Sequence, residues 1–172
     1  MEQWDLFNED RTPTGKIINK GEKIEGRLCR QVVHVIIFND NNEMLIQQRQ
    51  SGRKLWPEMW DVSVGGSSIA GETQVQAAER ETLEELGIKV DLSEERPYFT
   101  INFNNGFDDF FIIKKNIDLA SITMQLEEVK DYKWASYDEI MAMVENEQFI
   151  PYYKSVIPFL FDQVNGRGLH RK

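Results

Sequence analysis

The sequence predicts an α/β or α+β fold built on a mixed sheet. Three observations carry this. β-branched, apolar runs of strand length recur, and Val32–Phe38 is the clearest. Segments with helical spacing and helix-stop chemistry interrupt them. Turn signals such as Asn39-Asp40-Asn41-Asn42 join neighbouring runs as hairpins. The 172 residues contain no Pro/Gly/Ser-rich linker and no internal repeat, so one domain over 1–172 is expected.

Taken in order, residues 2–7 and Lys16–Asn19 read as two strands around a Thr12-Pro13-Thr14-Gly15 turn. They make a hairpin within an N-terminal extension of about residues 1–28. Val32–Phe38 is a buried strand. Glu43–Arg49 returns beside it through a four-residue loop. Residues 50–60 hold Gly52, Lys54, Trp56, Pro57 and Trp60, a loop with aromatic anchors. Asp61–Val64 is a short strand ending in Gly65-Gly66. Thr73–Leu86 is a helix: Thr73 is its N-cap, Gln76 completes a capping box, and Gly87 stops it. Ile88–Asp91, Tyr98–Phe103, Phe110–Lys115 and Val129–Ala135 are further strands. Ser136 opens a second helix with Glu139 in the capping-box position, and a last helix spans about residues 151–163.

Composition narrows the function. Asp and Glu total 29 against 20 Lys and Arg, a net charge of −9. Broad binding to nucleic acid polymers or anionic membranes needs the opposite sign. The lone cysteine, Cys29, excludes an intramolecular disulfide and a zinc site built on several thiolates. Two histidines, His34 and His170, exclude a three-His metal site. The apolar runs are strand-sized, far below the ~18 residues of a spanning helix, and the start of the chain lacks the basic and apolar pattern of a signal peptide. The expected location is cytoplasmic.

The helix at 73–86 carries the chemistry. Val75, Ala78, Thr82 and Leu86 share an apolar face, while Glu81, Glu84 and Glu85 gather on another. Like charges so spaced repel, and only Arg80 is adjacent to offset them. A plain acidic surface is the ordinary reading of such a face. A divalent cation is the alternative, since hard ions such as Mg²⁺ or Mn²⁺ take oxygen ligands.

The surroundings favour the cation. From Gly66 the chain runs five residues to Glu72, seven more, then Arg80-Glu81-Thr82-Leu83-Glu84-Glu85-Leu86-Gly87-Ile88. This resembles the Nudix box, G-x5-E-x7-R-E-U-x-E-E-x-G-U with U aliphatic. Thr82 at the first U is the one departure, and it is β-branched. The resemblance implies an α/β/α sandwich with a mixed sheet in which the box forms a loop–helix–loop. It also implies a Mg²⁺-dependent (or Mn²⁺-dependent) enzyme that cleaves a diphosphate bond in a nucleoside diphosphate derivative or a related small phosphorylated metabolite. Glu81, Glu84 and Glu85 would ligate the metal, with the carbonyl of Gly65 or Gly66. Arg80 would hold the carboxylates, Glu72 would pair with Arg80 or join the metal network, and Glu81 could take a proton. An acidic residue outside the box often assists; Asp108, Asp109, Glu127 and Glu128 are the candidates.

Leu45-Ile46-Gln47-Gln48-Arg49 and Lys54-Leu55-Trp56-Pro57-Glu58-Met59-Trp60 further resemble the branch related to isopentenyl-diphosphate isomerase. Isomerase chemistry is disfavoured. Gly65 stands where that reaction's cysteine would lie, Ser67 where a histidine would lie, and Arg30 where a metal histidine would lie. A non-catalytic nucleotide-binding module would show lost box carboxylates, and none is lost. Arg49 and Lys54 could bind a phosphate chain. Trp56, Trp60 and Phe103 could stack a base or pack an apolar tail. The N-terminal hairpin could cover a sheet edge or contribute to a homodimer. His34, inside an apolar strand, reads as a core histidine, and Cys29 as a strand-edge residue.

Overall fold

In the computed structural model, which describes residues 2–170, the chain forms nine strands and three α-helices. The ends of the domain expected over 1–172 lie outside those residues. The strands are β1 (Gln3–Phe7), β2 (Pro13–Asn19), β3 (Arg30–Phe38), β4 (Met44–Arg49), β5 (Trp60–Asp61), β6 (Val64–Ser67), β7 (Phe99–Phe103), β8 (Gly106–Lys114) and β9 (Val129–Ala135). The helices are α1 (Gln74–Leu86), α2 (Tyr137–Glu145) and α3 (Val156–Asn165).

β1 and β2 form a separate antiparallel pair. The other seven strands make one mixed sheet. β3 runs parallel to β8 and antiparallel to β6, while β4 runs antiparallel to β5 and β9. Side chains alternate across the sheet, which divides the core in two. Val33, Val35 and Ile37 pack with Ala77, Ala78 and Leu86 of α1. Ile36 and Phe38 pack on the opposite face with Ile140 of α2 and Leu160 of α3. This is an α/β/α sandwich with the box helix on one side and α2 and α3 on the other.

β3 and β4 differ from the expected hairpin. They pair only at Phe38↔Met44, beside the turn, and then diverge. The segment 60–67 enters the opening, with β5 on β4 and β6 on β3. Ser63 sits where the two strands part. Its hydroxyl donates to Leu45 O at 2.6 Å and accepts from Ile37 N at 2.9 Å, joining strands that no longer reach each other. The expected single strand Asp61–Val64 is therefore two short strands, and Gly65-Gly66 lie inside the second.

Other boundaries shifted for identifiable reasons. The N-terminal turn is Asn8–Arg11, not Thr12–Gly15. Thr14 and Gly15 form a bulge between the pairs Leu6↔Lys16 and Phe7↔Pro13, which uses the positive φ of Gly15. Ile88–Asp91 is not a strand. Ile88 and Leu92 pack beneath α1, and Leu92 N donates to the Glu79 carboxylate at 2.7 Å rather than to a neighbouring strand. The last helix starts at Val156, because residues 148–152 are tied to β5 instead. Ile150 N donates to Trp60 O, and the Tyr152 hydroxyl donates to Asp61.

Candidate active site and metal centre

α1 begins and ends on sequence signals. Thr73 accepts from Gln76 N, Gln76 accepts from Thr73 N, and Gly87 closes the helix in the left-handed conformation with φ 68°. Thr82 fills the aliphatic slot without exposure. It is fully buried, and its hydroxyl is silenced by donating to Ala78 O at 2.7 Å.

Arg80 organises the box. Its guanidinium grips both oxygens of Glu72 at 2.7 and 3.0 Å. It also donates to Glu81 at 2.9 Å, Glu84 at 3.0 Å and the Ser67 carbonyl at 3.0 Å. One planar cation thus ties the helix to β6 and to the loop before the helix. Glu72 accepts from Ile69 N as well, so it braces that loop. Arg80 thus engages two of the three helix glutamates, Glu81 and Glu84. Among the described residues no three acidic, His or Cys side chains are placed so that together they could hold a metal ion without rearranging.

Glu85 is different. It is 4% exposed and accepts from the Gln47 side-chain amide at 2.8 Å, and among the described residues it makes no ion pair. Burial, then the charges of Glu81, Glu128 and Asp61, push its carboxyl up to about 8. Burial likewise raises the Glu81 carboxyl, against the pull of Arg80. The other amide atom, Gln47 Oε1, is buried without a hydrogen-bond partner.

The two glycines are steric requirements. A Cβ on Gly66 would lie 2.1 Å from the Glu81 carboxyl carbon, and one on Gly65 would lie 2.7 Å from the His34 ring. His34 is a largely buried histidine with a polar partner. Its Nδ1 lies 2.6 Å from Asp108, and its ring stacks on Phe110 at 4.8 Å.

The four outside carboxylates separate. Asp109 is fully buried and bound by Arg11, Gln31 and Thr100, a structural tie. Asp108 belongs to His34. Glu127 is exposed. Glu128, paired with Arg53 at 2.8 Å, is near enough to raise Glu81 and Glu85. Arg49 does not stand free for a phosphate: it donates to Leu55 O at 3.2 Å and pairs with Asp61 at 3.3 Å. Lys54 is exposed. Trp56, expected as an anchor, is 45% exposed. Trp60 is half-buried against the core, with Lys133 over its ring. Gln47, Asp61 and Tyr152 were missed by sequence reasoning. The sequence signal was a polar Gln47 directly after the apolar run Met44–Ile46.

The Nudix domain profile matches residues 29–156. The chain belongs to the Nudix family. This Nudix chain is 44% identical over 170 residues to an uncharacterized Nudix hydrolase of Listeria monocytogenes, covering 99% of each. It is 28% identical over 144 residues to an isopentenyl-diphosphate Delta-isomerase of Salmonella heidelberg, covering 78% of this chain and 77% of the relative. Among solved structures, a Deinococcus radiodurans protein superposes with a TM-score of 0.73 at 21% identity, covering 92% of this chain and 97% of that one. That likeness is of fold. Among the described residues no helix is long and apolar enough to cross a membrane.

Proposed function

We propose that this Nudix protein is a Mg²⁺-dependent hydrolase of a diphosphate bond in a nucleoside diphosphate derivative or related small phosphorylated metabolite, with Mn²⁺ as a substitute ion. One observation carries the reading. Among the described residues Glu85 is a buried carboxylate without an ion-pair partner, beside Glu81 and the unpartnered oxygen of Gln47. Such a charge is costly unless a proton or an ion neutralises it. The donors present are all oxygens: Glu81, Glu84 and Glu85, with the carbonyl of Gly65 or Gly66. That set suits a hard divalent ion.

When bound, the metal would offset charge on the diphosphate and acidify a water. The chain's own residues do the rest. Arg80 fixes the carboxylates relative to β6. Glu81, whose carboxyl burial makes more basic than an ordinary glutamate, is suited to accept a proton. Glu72 holds Arg80 in place. Lys54 and Trp56 offer exposed contacts on the 50–60 loop, and Arg49 shapes that loop.

Purified protein tested with Mg²⁺ and Mn²⁺ against nucleoside di- and triphosphates, sugar nucleotides and dinucleotides should release phosphate or pyrophosphate. Glu81→Gln and Glu85→Gln should each lower kcat by roughly a hundredfold or more. Full turnover in both variants would sink the metal assignment. The isomerase reading lacks its thiol: position 65, where the resemblance places that reaction's cysteine, is a glycine facing the His34 ring. An assay with isopentenyl diphosphate should therefore show no isomerised product.

A further inference from the structure

The sheet face bearing His34 continues past the helices. Residues directly opposed across neighbouring strands share a face. Gly65, His34, Phe110 and Phe99 form one such row. Ser67, Val32, Asp108 and Ile101 form the next, and Arg30, Gly106 and Phe103 the one after. At the Phe99 end the first row meets Phe159 of α3, whose ring packs edge-on to Phe99. The outer rows are open: Ile101 is 44% exposed and Phe103 39%.

Arg30 is the unusual group there. It is half-buried, and burial lowers its pKa. Among the described residues it makes no carboxylate ion pair. Its Nη1 donates to Ser67 Oγ at 2.5 Å, leaving that hydroxyl's own proton free to donate. Its guanidinium carbon lies 4.7 Å from the Trp4 ring centre and 5.5 Å from that of Phe103. Gly106 makes the arrangement fit, because a Cβ there would stand 2.3 Å from the Phe103 ring. The nearest negative influences are Asp108, whose carboxylate is shared with His34, and Glu2.

We propose that Arg30, steered by Ser67 and held against Trp4 and Phe103, is a phosphate-binding subsite for the substrate. The exposed faces of Phe103 and Ile101 receive an apolar group attached to the phosphates. A guanidinium with unused donors matches phosphate oxygens, and aromatic packing keeps it oriented. The subsite is joined to the box through β6: Ser67 offers its side chain to Arg30 and its carbonyl to Arg80, and the preceding residue, Gly66, faces the other side of the sheet against Glu81. The inference takes from the proposed function only that the ligand carries a diphosphate. The apolar group could be a nucleobase or a short alkyl chain, and the probes separate these sources.

The test is titration calorimetry in Mg²⁺ with ligands that resist hydrolysis or are short-chained: methylenediphosphonate, α,β-methylene-ADP and isopentenyl diphosphate. Arg30→Gln should weaken every probe that binds by roughly tenfold to a hundredfold, the size of a lost charged hydrogen bond. Arg30→Lys should fall between. Phe103→Leu should weaken the probe bearing the apolar group and spare methylenediphosphonate. Arg27→Gln, a nearby exposed arginine paired with Glu9, should change nothing. If Arg30→Gln fails to fold, Ser67→Ala should still weaken binding several-fold while keeping the charge. Wild-type affinity in a folded Arg30→Gln protein, equal loss in Arg27→Gln, or no binding by the wild type would overturn the subsite. Binding is read without turnover. Arg30-dependent binding without hydrolysis would sink only the hydrolase reading, and hydrolysis indifferent to Arg30 would sink only the subsite.

Discussion

At the scale of the residue, the site rests on atoms that are absent as much as on those present. Gly66 leaves space for the Glu81 carboxyl, and Gly65 for the His34 ring. Gly66→Ala should therefore push Glu81 aside. The carboxyl is the far end of a flexible side chain, so stability should fall little while kcat falls at least tenfold; comparing melting temperature with turnover checks this. Glu85 makes a second prediction. Burial holds its folded carboxyl up to about 8, above the usual 4.5 of the unfolded chain. Between those values the folded state keeps a proton that the unfolded state has released. Stability of metal-free protein should then decline as pH rises from about 5 to 8, at up to about 1.4 kcal/mol per pH unit from this group. Thermal unfolding in a chelator should show it, and Glu85→Gln should flatten the slope. Mg²⁺ should raise the melting temperature more at pH 8 than at pH 5.

At the scale of the element, α1 is a short helix whose charged face opposes its own formation. Three glutamates crowd together there, and the first turn carries no acidic residue to favour the helix dipole. Its stability depends on packing, on Arg80 and on the caps. Thr73→Ala removes the acceptor for Gln76 N and should cost about 1 kcal/mol, measurable by denaturant unfolding. This element was fully legible in the sequence, since caps, apolar face and glutamate spacing all act within a few residues. β3–β4 was legible only as a turn. Its strands read as partners because each is apolar and the turn is strong, yet Ser63 and the 60–67 segment replace most of the pairing.

At the scale of the whole molecule, the N-terminal hairpin is fastened to the sheet by a few long-range ties. Phe7 exchanges backbone hydrogen bonds with Cys29 at 2.8 and 2.9 Å. Arg11 makes a two-pronged pair with the fully buried Asp109, which Gln31 and Thr100 also bind. Asp109→Asn should cost about 2–3 kcal/mol, since it strips charge from bonds whose other groups stay in place. For a chain of this length that is a fall in melting temperature of roughly 5–10 °C. Protease nicking near Asn8–Arg11 should rise with it. The same hairpin brings Trp4 to Arg30, so its attachment also governs the proposed phosphate subsite.

The sequence by itself determined the family, the box helix and the set of oxygen donors, because their signals are local and their spacing is tied to one helix. Tertiary structure decided which carboxylates do what. Asp109 and Asp108 are neighbours in sequence, yet alternation across β8 sends them to opposite faces, one to Arg11 and the other to His34. Glu128, Asp61 and Gln47 lie far from one another along the chain but converge on Glu85 through the fork between β3 and β4. No periodicity encodes that meeting. It follows from where the strands separate, and burial there turns an ordinary glutamate into one that needs a proton or a cation.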